Sequence, residues 1–184
     1  MHHAADSRNT VRPGTKTLEP CRRFAGVLGA TAAFAKDNTG FGFNAGDIRG
    51  GTAGAVSLTG GGAFDASTGL GHPGGGFRCT EPVGQGPLTG CQAGQGVRWD
   101  TDSVLASTVF KCTSSPAEAL KTATTGADTV ALHADFYRAG DGTHESFTAN
   151  MFVSTRDLAP DIAGMQNVWV QGVGCGVAGA HFSS

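Results

Sequence analysis

"TVALHADFYRAGDGTHESFTANMFVS", residues 129–154, carries the instructions for its own pairing. Asp141-Gly142 near its centre is the kind of two-residue turn that antiparallel hairpins favour, because both residues tolerate positive φ. Since 141 + 142 = 283, residues that face each other across this turn have numbers summing to 283. The partners are then Val130–Val153, Leu132–Met151, Ala134–Ala149 and Phe136–Phe147, all apolar and all on one face. Arg138 falls opposite Glu145 near the turn, an opposite-charge pair on the same side. A slip of one residue would send every side chain to the other face, so the agreement specifies both the hairpin and its register.

The second face of this hairpin is polar. It presents His133, Asp135 and Tyr137 on one strand and Asn150, Thr148 and Ser146 on the other, with His133 opposite Asn150 and Asp135 opposite Thr148. Residues two apart on a strand share a face, so His133 and Asp135 can jointly bind a polar ligand or steer a proton. In a sandwich these six residues form a solvated outer surface. In a barrel with a polar inner wall they line a cavity. Two function classes follow. One is a binding or structural domain that uses His133, Asn150, Thr148 and Ser146 as ligand contacts. The other is a cofactor-free acid–base enzyme, of isomerase or cyclase type, with His133 as base, Asp135 as its orienting partner, and Tyr137 or Asn150 polarising the substrate.

Outward from the hairpin the signals stay β-like. Val97–Trp99 and Val104–Cys112 read as strands separated by the turn-forming "DTDS" (100–103). "NVWVQGVGCGV" (167–177) supplies a strand that its glycines allow to bend. Of 30 glycines, 19 lie from Gly40 to Gly96, where they separate the short apolar runs Ala55–Leu58, Ala63–Phe64 and Phe77–Cys79 without a fixed period. Such runs suit strands with turns and bulges. The exception is "SPAEALKT" (115–122), with Ser115 as N-cap, Pro116 at the first helical position and Glu118 three residues after the cap. It predicts a short helix over 116–124. The expected architecture is an all-β antiparallel sandwich or barrel with one short helix.

"RRFAGVLGATAAFAKD" (22–37) has the three parts of a secretory signal: Arg22 and Arg23, an apolar stretch from Phe24 to Phe34, and an Ala33-Phe34-Ala35 cleavage site. The polar, proline-punctuated residues 1–20 then form an extended leading region or precede the true start. Cleavage after Ala35 leaves 184 − 35 = 149 residues, enough for one domain over 36–184. The leader holds five of thirteen Lys and Arg and two of fifteen Asp and Glu, so the remainder has 8 basic and 13 acidic residues, a formal charge of −5. That excludes a nucleic-acid backbone as partner, which needs a basic patch. No apolar run after the leader is long enough to span a membrane as a helix.

Removing the leader also removes Cys21 and leaves Cys79, Cys91, Cys112 and Cys175. No C-x-x-C spacing suggests zinc, so two disulfides in an oxidising compartment are expected, outside the cell or in a periplasm. Of the three possible pairings, Cys79–Cys91 would close a short loop rich in Gly and Pro, and Cys112–Cys175 would join distant strands.

Known motifs are absent or accidental. "GCGVAG" (174–179) fits G-x-G-x-x-G, but too few residues follow for the helix and acidic residue of a dinucleotide site. "CGVAGAHF" (175–182) resembles the end of copper–zinc superoxide dismutases, but the H-x-H histidines of that family are missing. No G-x-S-x-G or P-loop occurs. His72 and His144 read as loop and turn residues, and His144 is too far along the hairpin to join His133 and Asp135 around a metal. Trp99, Trp169, Phe64 and Phe77 read as core. No metal or cofactor is implied, and the partner is an unspecified small molecule or cell-surface component.

Overall fold

The computed structural model describes residues 38–51, 54–138 and 147–184. The leader, its cleavage site, Cys21, the Asp141-Gly142 turn, His144, Glu145 and Ser146 lie outside them.

The described chain is all-β. Its strands are β1 (Asn38–Gly50), β2 (Ala55–Asp65), β3 (Leu70–Gly71), β4 (Gly74–Glu81), β5 (Arg98–Leu105), β6 (Ser107–Phe110), β7 (Lys121–Thr124), β8 (Thr129–Tyr137), β9 (Phe147–Ser154), β10 (Val168–Val170), β11 (Gly174–Gly176) and β12 (Gly179–Ser183). Ten form one antiparallel sheet, and β6 and β7 form a separate hairpin. The large sheet curls on itself. β1 pairs with β2 along one edge, and along the other with β12 over its first half and β11 over its second. Through β11 the circuit β1-β2-β4-β5-β8-β9-β10-β11 returns to its start. Among the described residues no pairing carries β12 on to β9 or β10, so the ring is complete at one end only.

The β8–β9 hairpin has the register its turn implies: Val130, Leu132, Ala134 and Phe136 face Val153, Met151, Ala149 and Phe147. All eight are buried in the ring's interior. One row across that interior explains the triple glycines. Phe43, Gly60, Gly75, Trp99, Phe136 and Phe147 are successive cross-strand partners on β1, β2, β4, β5, β8 and β9. The Trp99 indole fills the space left by the glycines and donates Nε1–H to the carbonyl of Thr59 at 3.0 Å. A Cβ on Gly60 would come within 2.7 Å of the indole. Burying this one side chain contributes about 4–6 kcal/mol of gross apolar transfer. Glycine here makes room for the largest residue in the core.

The predicted helix is absent. Ser115 begins a single turn, receiving the Glu118 N–H on its carbonyl at 3.2 Å and the Ala117 N–H on its hydroxyl at 3.2 Å. Glu118 does not cap that turn. Its carboxylate reaches back to the amides of Cys112 and Thr113, both at 2.7 Å, the Thr113 hydroxyl at 2.6 Å and Lys121 Nζ at 3.0 Å. Residues 121–124 are consumed as β7, paired with β6. This hairpin covers part of the ring's outer surface, where Phe110, Ala123, Ala131, Phe152, Ala159 and Trp169 form a second apolar cluster. The packing of β6 and β7 on that cluster outweighs a local helix signal too short to stand alone.

"DTDS" is likewise not a turn. β5 runs through it with an irregularity between Thr101 and Ser103, where Thr101 gives its N–H and hydroxyl to the Pro73 carbonyl at 3.0 and 2.7 Å. The chain from Val104 to Cys112 breaks after Leu105 into β5 and β6, because β6 leaves the ring to pair with β7. Residues 167–177 form two strands rather than one bent strand: β10 and β11 pair around a tight bend at Gly172, whose φ is +82°. Both disulfides form: Cys79–Cys91 ties the loop after β4 back to it, and Cys112–Cys175 joins the segment after β6 to β11.

Candidate functional site

On the ring's outer side the polar residues of the hairpin lie in cross-strand rows. Ser103, His133 and Asn150 form one row, Asp100, Asp135 and Thr148 the next, and Arg98 and Tyr137 a third. The alternation that buries Leu132, Ala134 and Phe136 inward turns His133, Asp135 and Tyr137 outward, each half-buried. The interior beneath them is packed with apolar side chains.

His133 is the best-anchored member. Its Nδ1 lies 2.7 Å from Asn150 Oδ1. The Asn150 amide is held in turn, with Nδ2 donating to the Thr108 hydroxyl at 3.4 Å and the backbone N–H donating to Gln171 Oε1 at 3.1 Å. Since an amide oxygen only accepts, Nδ1 carries a proton in this arrangement, and in the neutral ring Nε2 keeps the lone pair. Nε2 has no hydrogen-bond partner among the described residues. Thr108 is on β6, so the covering hairpin fixes this histidine through Asn150.

The neighbouring rows are also paired. Thr148 donates its hydroxyl to Asp135 at 3.3 Å, and Arg98 reaches Asp100 at 3.3 Å while its guanidinium lies 4.4 Å from the centroid of the Tyr137 ring. His133 and Asp135 thus share a face but are held by different partners. Ser146 lies outside the described residues. His72 is exposed before β4, while Trp99, Trp169, Phe64 and Phe77 are core. Among the described residues no group of three or more His, Cys, Asp or Glu could hold a metal.

The carboxylates whose titration is most displaced lie elsewhere and serve the fold. Asp65, at the end of β2, is held at about 2, chiefly by the Ser67 hydroxyl at 2.6 Å and with further help from the backbone of Ser67 and Thr68. For Glu118 burial pushes upward, but the donors from Thr113, Cys112 and Lys121 together outweigh it and hold the group at about 2.

Thr108, Gln171, Arg98, Asp100 and Ser103 also belong to this face, and the sequence pattern of the hairpin does not reveal them. Arg98 and Asp100 become visible once β5 is drawn through "DTDS". Thr108 and Gln171 have no sequence signal, because they arrive from β6 and from the bend after β10.

Fold and surface together define a disulfide-containing β domain with a polar outer face and a packed interior. No protein-family model, curated protein or solved structure matches the chain. No helix among the described residues is long and apolar enough to cross a membrane.

Proposed function

We propose that this is an exported binding domain whose outer face, centred on His133, takes a hydroxyl-rich ligand such as a cell-surface glycan. The observation that carries the reading is the chain Thr108–Asn150–His133, which orients a half-buried imidazole and leaves Nε2 without a hydrogen-bond partner among the described residues. Asp135 and Thr148 in the next row, and Tyr137 and Arg98 in the row beyond, extend the face with donors and acceptors of both kinds, as recognition of hydroxyl groups requires. Export rests on the leader motif and on two disulfides of the kind retained in oxidising compartments.

The test is co-sedimentation of the disulfide-intact protein with insoluble cell-wall glycan. Wild-type protein should sediment, and His133→Ala and Asn150→Ala should each weaken binding about tenfold, the cost of one well-placed polar contact. Equal sedimentation of all three proteins, or of none, overturns the reading.

A second reading draws on the same nitrogen. With Nδ1–H held by Asn150, Nε2 of the neutral ring is the basic atom that cofactor-free acid–base catalysis needs, with Asp135 in the next row of the same face. Turnover of the bound glycan that is lost in His133→Ala favours catalysis; binding without turnover favours the binding domain.

A further inference from the structure

A separate groove of about 420 Å³ opens on the outer surface over β2, β4 and the segment that leads into β5. Its floor is bare backbone at Gly76 and Gly96. Around it stand Ser57 and Thr59 from β2, Arg78 from β4, and Val97. Ser57 is the cross-strand partner of Arg78 and Thr59 that of Gly76. On the other side the Phe77 and Cys79 N–H groups donate to the carbonyls of Val97 and Gln95, which brings Gly96 alongside Arg78. Gly96 has φ +120°, and a Cβ there would stand 2.6 Å from the Arg78 Cα, so only glycine lets this segment lie so close.

Three properties of the groove point to one ligand chemistry. The first is charge. Among the described residues no carboxylate lines it, and the Arg78 guanidinium makes no hydrogen bond or ion pair with any of them. The other basic residues of this region are engaged, Arg98 with Asp100 and Arg49 with Asp47 and Glu81. A planar guanidinium takes a carboxylate by two parallel hydrogen bonds. The second is the opposite wall, where two hydroxyls can both donate and accept. The third is Val97, 49% exposed, which offers an apolar contact at the rim. The volume lies within the range of small-ligand sites.

We infer that this groove binds a small sugar acid, with Arg78 on its carboxylate and Ser57 and Thr59 on its hydroxyls. The inference does not depend on the His133 face, and the two fail separately.

The experiment is an amide NMR titration of the disulfide-intact protein with glucuronate, glucose and inorganic phosphate. Glucuronate should shift the amides of Gly76, Gly96 and Val97, and glucose should bind at least about tenfold more weakly, since a hydrogen bond to a charged group is worth that factor or more. Arg78→Gln should reduce glucuronate affinity to the level of glucose. Gly76→Leu fills the floor while retaining the charge, and should abolish the shifts. It is tolerable because the nearest atom to a Cβ there is the tip of Thr59, at 3.0 Å. His133→Ala should leave the titration unchanged. The inference is overturned if groove amides do not respond to glucuronate, if glucose binds equally well, if phosphate produces the same shifts, or if Arg78→Gln has no effect.

Discussion

At the scale of single residues, Glu118 shows how one side chain changes role with context. Its place three residues after Ser115 is that of a helix cap partner. In the fold it is a buried carboxylate that receives two backbone amides and a hydroxyl just after β6 and is neutralised by Lys121, which also contacts Asp161 at 2.9 Å. Those donors hold its pKa at about 2 against a usual 4.5. A carboxylate depressed in the folded state contributes stability that is fully present above its unfolded pKa and is lost as pH falls through the folded value. Urea midpoints should therefore fall between about pH 4.5 and pH 2, with Asp65 adding to the same slope. Glu118→Gln should cost about 1.5–3 kcal/mol at pH 7 and give a shallower acid slope. An unchanged slope in the variant would mean that Glu118 is not the group that titrates. His133 makes the complementary point: its partner Asn150 follows from the turn, while Thr108, which steadies Asn150, does not.

At the scale of elements, β8 and β9 were legible because a turn and two alternating patterns agree with each other. β2 and β4 were seen only as fragments, because triple glycines resemble loops until Trp99 is placed over them. The glycines interrupt propensity, but not the hydrogen-bonded ladder. Residues 115–124 failed in the opposite sense, since a good local helix signal met a surface that needed a covering hairpin. The two disulfides act on different elements and should be unequal. Cys112–Cys175 has a sequence separation of 63 and Cys79–Cys91 one of 12. Loop-closure entropy assigns them about 4 and about 3 kcal/mol respectively. In urea unfolding, Cys112→Ala/Cys175→Ala should lower stability more than Cys79→Ala/Cys91→Ala. The reverse order would show that local packing, rather than chain closure, governs the difference.

At the scale of the whole molecule, the export proposal is checked by the intact mass of protein recovered outside the cytoplasm. The expected species begins at Lys36 and shows no free thiol until reduced. A chain that still contains Cys21, or that is labelled without reduction, contradicts the expectation. The sequence by itself determined the all-β class, the register of one hairpin and which face of that hairpin is apolar, because these depend on a period of two and on turn chemistry within some 25 residues. Only the tertiary structure decided that the sheet curls into a ring with an apolar interior, so that the polar face lies outside, and that β6 and β7 cover part of that face. It also placed Arg78, Ser57 and Val97 around one groove. These arrangements join residues tens of positions apart through sheet closure and packing, and no local pattern in the chain encodes which distant strands will meet.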